Sequence, residues 1–239
     1  MRISNSRIWE LDALRGFCIL CMFVVHLLFD LVFFAGMRLS MPAWYTAVQQ
    51  YGGTLFVVLS GLCATLGHRS VRRGAVVFSA GLLISLVTAS MYWLKLSGAD
   101  VIVWFGVLHL LGICMMLYPL LKKQPTLALL FEAVCIIVLG YLFVGVRVQC
   151  RWLFPLGLID PAFYSSDFYP LFPQLGFFML GICIGRTLYR EKKSLLPCRF
   201  QNSFAAKALC RIGQNSLVIY LAHQPILYGV IELFLLLGK

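Results

Sequence analysis

Apolar segments about as long as a lipid bilayer is thick recur from one end of this chain to the other, and nothing else in it limits the fold so strongly. The first reads FCILCMFVVHLLFDLVFFA over 17–35; others fall at 51–67, 74–94, 101–121, 126–145, 173–188 and 212–237. A helix needs roughly 17–25 residues to cross about 30 Å of hydrocarbon. Of the 239 residues 61% are hydrophobic and 12% charged, with a mean hydropathy of +0.90, so the chain is no soluble domain. The expected fold is all-α: a polytopic transmembrane helical bundle of about seven spans, forming one domain over 1–239. The N-terminal MRISNSRIWELDALRG is polar and lacks a small-residue cleavage site, so the first span is expected to stay in the protein.

Charge orients these spans. A net charge of +11 would point to nucleic acid in a soluble protein, but here the positions of the cations decide, and no nucleic-acid partner is expected. With connections assigned to alternate sides, fifteen of the 20 Lys and Arg share the side of the N-terminus; the other side holds Arg38, Lys95, Arg147, Arg151 and Lys239. The positive-inside rule puts the N-terminus in the cytoplasm and the C-terminus outside. The outer connection 146–172, rich in aromatics and prolines with two aspartates, reads as an interfacial cap. The inner connection 185–211 is basic, suited to anionic lipid or to the phosphates of a cytosolic cofactor. Nine scattered cysteines lie mostly in apolar runs, where a free thiol packs as a small hydrophobe; Cys18 and Cys21 are read that way.

An ionisable group at bilayer depth costs several kcal/mol and by default marks a site or a path. On the first span Arg15 and His26 lie eleven residues apart, about 20° around a helix, Asp30 follows His26 by one turn, and Asp12 falls within about 60° of Arg15. Asp12, Arg15, His26 and Asp30 thus form one polar stripe. His109 and His223 also sit inside spans and are expected at a similar depth, while His68 lies in a basic connection. Asn215, Ser216, Tyr220 and Gln224 accompany His223. Glu132 and Glu232 are isolated in their spans, and the glycines of GGTLFVVLSGL allow close helix packing.

Four stretches, RIWELDALRGFCILCMFVVHLLFDL, FGVLHLLGICMML, DFYPLFPQLGFFMLGICIGR and GQNSLVIYLAHQPIL, resemble sequence blocks of the bacterial heparan-alpha-glucosaminide N-acetyltransferase-like family of transmembrane acyltransferases. The resemblance runs from the first span to the last. It implies a bundle in a bacterial inner membrane whose helices enclose a tunnel, with acyl-CoA, such as acetyl-CoA, admitted from the cytoplasm and an extracytoplasmic glycan acceptor from outside. The spacing of Arg15 and His26 is similar to one used by membrane O-acyltransferases. A homodimer or accessory subunit is an expected partner beside membrane lipids, and no metal is expected.

Acyl transfer from a thioester needs a base for the acceptor's proton and donors for the oxyanion. His26 is the expected base, with Asp30 orienting it, and His223 or His109 binds the oxyanion or the sugar; transfer is either direct or by way of a covalent acyl-histidine. Arg15, Arg186 and Arg211 are expected to hold the CoA phosphates, and Asp167, Tyr220 and Gln224 to contact the acceptor. Two other classes fit the same residues: a proton-coupled transporter using the intramembrane histidines, which predicts flux without CoA dependence, and a membrane scaffold for envelope enzymes.

Overall fold

The computed structural model describes residues 8–33, 35–38 and 40–237. Arg2, Arg7 and Lys239, which enter the charge count, and the side chain of Glu232 lie outside what is described. The chain folds into helices α1 (Trp9–Phe33), α2 (Ala43–Leu66), α3 (Ser70–Trp93), α4 (Val107–Leu121), α5 (Thr126–Phe143), α6 (Leu171–Leu188), α7 (Cys198–Gln201), α8 (Phe204–Gln214) and α9 (Ser216–Leu237), with short 3-10 turns at Ala99–Val101 and Arg151–Leu156. The described residues contain no strand, only isolated bridges Phe105–Phe168 and Arg147–Ile159. The all-helical expectation therefore holds. Five helices are long and apolar enough to cross a membrane: α1, α2, α3, α5 and α6. Two shorter apolar stretches, Val107–Leu121 and Ser216–Ile231, correspond to the other expected spans.

Helix ends depart from the apolar segments for identifiable reasons. Helix α1 begins eight residues before the expected 17, because Glu10, Asp12 and Arg15 have partners that hold a polar first turn. Helix α4 begins six residues after the expected 101: residues 102–105 are instead bonded to 166–169, through Ser166 N–H to Ile102 O (3.0 Å) and Tyr169 N–H to Phe105 O (3.0 Å). The expected last span starts after a break at Asn215, whose φ of −105° and ψ of 19° separate α8 from α9.

The chain forms two compact units: Met1–Phe56 with Glu191–Lys239, and Val57–Arg190. In the first, α1 packs on α8 and α9. The α1–α8 contact is close enough that a Cβ on Gly16 would overlap the Leu209 carbonyl, and one on Gly213 the Asp12 carbonyl; small residues let helix backbones approach in this way. Ser203 caps α8, its Oγ accepting from Ala206 N–H at 3.2 Å. Glu10 accepts from Leu195 N–H and from the Ser194 hydroxyl, both at 2.7 Å, which ties the segment before α7 to the start of α1.

In the second unit α3 packs on α4 and α5 on α6. The C-terminal part of α2 meets α6 where Gly61 faces Phe178 O and Gly181 faces Val58 O, again backbone to backbone. Phe105, Phe154, Phe163 and Phe168 form a chain of ring contacts 5.0–6.4 Å apart, which orders the segment before α6 over the start of α4.

Candidate functional site

The polar stripe of α1 meets α8 and α9 residue by residue. Asp12 Oδ2 accepts from Gln214 Nε2 at 3.0 Å, and Arg15 Nη2 donates to Ser216 Oγ at 3.1 Å. Further along, the rings of His26 and His223 stand 4.9 Å apart and tilted by 59°. Beyond them Gln224 Nε2 donates to both Asp30 oxygens, at 3.2 and 3.1 Å. Residue numbers rise together on the two sides, so α1 and α9 run in the same direction. The i, i+3, i+4, i+7 geometry of a helix is what collects these side chains on one face of each.

At the centre of this face His223 is 6% exposed and Asp30 fully buried. The Nδ1 of His223 donates to the Tyr220 carbonyl one turn back. A carbonyl oxygen only accepts, so Nδ1 carries the hydrogen, and the neutral ring keeps its lone pair on Nε2. That Nε2 is buried and has no hydrogen-bond partner among the described residues; the same holds for Gln224 Oε1 and for Arg15 Nε. His26 contacts His223 by its ring, and no hydrogen bond joins it to Asp30 among the described residues. Asp30 is instead held by Gln224, with Tyr45 of α2 in its electrostatic field. The Tyr220 ring lies 5.3 Å from that of His223. Pro225 follows at once; lacking an N–H, it leaves the Leu221 carbonyl without its usual i+4 donor.

The remaining expected site residues are engaged otherwise. His109 stands in the first turn of α4, in the second unit, and not in the middle of a span, because the helix starts later than its apolar segment. It is 3% exposed and both its nitrogens are used: Nδ1 accepts from Gly106 N–H (3.2 Å), which leaves Nε2–H to meet Ser85 Oγ at 3.3 Å. Ser85 Oγ donates in turn to Val103 O at 2.6 Å. Phe105 stacks on the ring at 5.5 Å and Phe78 meets it edge-on. His109 thus caps a helix and fastens α3 to α4, with no nitrogen open for proton transfer.

Asp167 Oδ2 accepts from Val107 N–H at 3.1 Å, where a carboxylate complements the N-terminal end of α4. Burial, and then the charge of Asp167, push the phenol of Tyr169 up to about 12. Arg186 donates to the carbonyls of Gln124 (2.8 Å) and Leu121 (3.2 Å) and to Thr126 Oγ1 (3.4 Å), closing the α4–α5 turn. Arg211 is exposed and lines, with Phe204, Lys207, Ala208 and Ile212, an open groove of roughly 480 Å³ along the face of α8 turned away from α1. Glu132 is half-buried in α5 and His68 is exposed between α2 and α3, as expected.

Sequence reasoning missed Ser85 and Gln214 as partners, Tyr45 beside Asp30, and above all the backbone carbonyl of Tyr220, which sets the His223 tautomer. The three-residue spacing of Tyr220 and His223 was the available signal, although it pointed to the side chain. Among the described residues no group of three or more His, Cys, Asp or Glu side chains could hold a metal ion.

These features define a helical membrane protein in which a half-buried imidazole, His26, stands against a buried one, His223. The family model described as heparan-alpha-glucosaminide N-acetyltransferase, catalytic, matches residues 7–225. The chain belongs to that family, which makes it a membrane protein of an acyltransferase family. No curated protein and no solved structure matches it.

Proposed function

We propose that this protein moves an acetyl or other acyl group from cytosolic acyl-CoA to an extracytoplasmic acceptor, a sugar amine or hydroxyl of an envelope glycan, in a bacterial inner membrane. The whole chain, 1–239, serves as one acyltransferase domain. The observation that carries this reading is the pairing of the α1 stripe with α8 and α9. It leads from a cationic end, Arg15, to a pair of imidazoles, half-buried His26 and buried His223, the second of which keeps an open lone pair. One imidazole takes the acceptor's proton and the other supports the charge that develops on the thioester oxygen.

Arg15 and Arg211 are the cations offered to CoA phosphates, since Arg186 is engaged by the Gln124 and Leu121 carbonyls and the Thr126 hydroxyl. From Arg15 to His26 the helix rises about 16 Å, a stretch that an extended pantetheine arm bridges. Asp30 and Gln224 lie one turn beyond, on the acceptor's side of the reacting centre.

Seven crossings with a cytoplasmic N-terminus fit the same arrangement. Two helices that cross in the same direction are separated by an even number of turns through the membrane, so the crossings from α1 to α9 inclusive are odd in number. Five long apolar helices with α4 and α9 make seven. The excess of Lys and Arg on the N-terminal side supplies the orientation.

The test is transfer itself. Purified protein in lipid nanodiscs, given acetyl-labelled acetyl-CoA and glucosamine or other amino sugars, is expected to move label into the sugar in proportion to enzyme. Absence of label transfer to any amino sugar or polyol, by protein shown to be folded, would reject the reading.

A further inference from the structure

Resting on the acyltransferase reading, we propose that His223, and not His26, is the base that takes the acceptor's proton, through a buried Nε2 that accepts from no other group among the described residues. Three buried acceptors follow one another along the α1–α9 pairing: His223 Nε2, Gln224 Oε1 and the Asp30 carboxylate. Among the described residues the first two have no hydrogen-bond partner, and the two Asp30 oxygens accept from one nitrogen, Gln224 Nε2. A buried polar atom left unmatched costs about 1–3 kcal/mol, and such atoms in a native structure call for an explanation. All three accept, so the group that satisfies them brings N–H or O–H. A phosphate or a thioester carbonyl offers only acceptors and is turned away from this corner; an attacking amine or hydroxyl fits it.

The tautomer of His223 is set by its own helix. The Tyr220 carbonyl holds the hydrogen on Nδ1 and stabilises the imidazolium once Nε2 is protonated, the task a carboxylate performs for many catalytic histidines. His26 has no comparable support among the described residues, where Asp30 is bonded to Gln224 and not to it. With its nitrogens free of hydrogen bonds among the described residues and its ring 4.9 Å from His223, His26 is the group that can turn an N–H toward the thioester oxygen.

The step balances without a further reactant. The acceptor's lone pair attacks the acyl-CoA carbonyl carbon, the new carbon–heteroatom bond forms, and the acceptor's proton passes to His223 Nε2. Collapse of the tetrahedral intermediate breaks the carbon–sulfur bond, and the leaving thiolate takes the proton from the His223 imidazolium. The titratable groups that face His223 are Tyr220 on α9 and His26 and Asp30 on α1, with Tyr45 of α2 beside Asp30. Protonation of Nε2 removes the lone pair, so activity falls as pH falls.

Two readouts test the assignment. In ¹⁵N-histidine spectra of the purified wild type, the neutral His223 ring is expected as the Nδ1–H tautomer. Its resonance is assigned by its loss in His223→Gln or, should that variant not fold, by elimination with His26→Gln, His68→Gln and His109→Gln. In acetyl transfer from acetyl-CoA to glucosamine, His223→Gln is expected to lose at least about a hundredfold in kcat and the acidic limb of the pH–rate profile, while still binding acetyl-CoA. His26→Gln, which keeps an amide N–H, retains that limb and loses less than about tenfold. An Nε2–H tautomer for His223, or an acidic limb that vanishes in His26→Gln and survives in His223→Gln, overturns the assignment and leaves the acyltransferase reading intact. A wild type that transfers no acetyl group overturns both.

Discussion

His109 and His223 are both buried imidazoles in apolar surroundings, and what separates their roles is how many ring nitrogens the protein itself uses. Gly106 and Ser85 take both nitrogens of His109, and Phe78 and Phe105 hold its ring, so it stabilises the α3–α4 pair. Replacing it should therefore cost stability and spare chemistry. His109→Ala is expected to destabilise the protein by about 3 kcal/mol through a lost cap and a cavity. This would be read as a lower Tm in detergent, while acetyl transfer per folded molecule stays within about threefold. A loss of a hundredfold or more at unchanged stability would return His109 to the catalytic set. The sequence made the α1 stripe legible because helical periodicity alone aligns Asp12, Arg15, His26 and Asp30. It could not tell an open histidine from a saturated one, since the deciding partners, the Gly106 N–H and the Tyr220 carbonyl, are backbone atoms that any residue carries.

At the scale of helices, the stripe has chemical meaning only because α8 and α9 hold α1 at backbone contact. Gly16 and Gly213 permit that approach. Gly213→Ala would drive a methyl group into the Asp12 carbonyl, and the separation needed to relieve it is transmitted to Arg15–Ser216 and the imidazole pair. The expected outcome is a loss of about 1–3 kcal/mol with a clear fall in acetyl transfer. Gly229→Ala, in open space on α9, serves as the control and should change neither. Equal behaviour of the two variants would remove the α1–α8 contact from the account. Most helices were readable as apolar runs of spanning length, and α5 and α6 begin at or within two residues of their segments. The start of α9 follows a local break at Asn215, and those of α1 and α4 were fixed by pairing between distant segments, Glu10 with Ser194 and Leu195 and Phe105 with Tyr169. Such partners lie 64 to 185 residues away in sequence, and periodicity carries no information about them.

For the whole molecule, the proposed function makes acyl-CoA a direct ligand that enters at the Arg15 end of the stripe. The chain belongs to an acetyltransferase family, and the α1–α9 pairing supplies a cation at one end of a helix face and a pair of imidazoles about 16 Å along it. A proton-coupled transporter built on the same histidines would move its substrate without any need for CoA. Calorimetric titration of acetyl-CoA into the detergent-purified protein, for wild type, Arg15→Ala and His26→Ala, separates these most directly. Saturable binding, weakened at least about tenfold by Arg15→Ala and kept by His26→Ala, is the predicted result. Folded wild-type protein that binds no acyl-CoA at all would contradict the central claim.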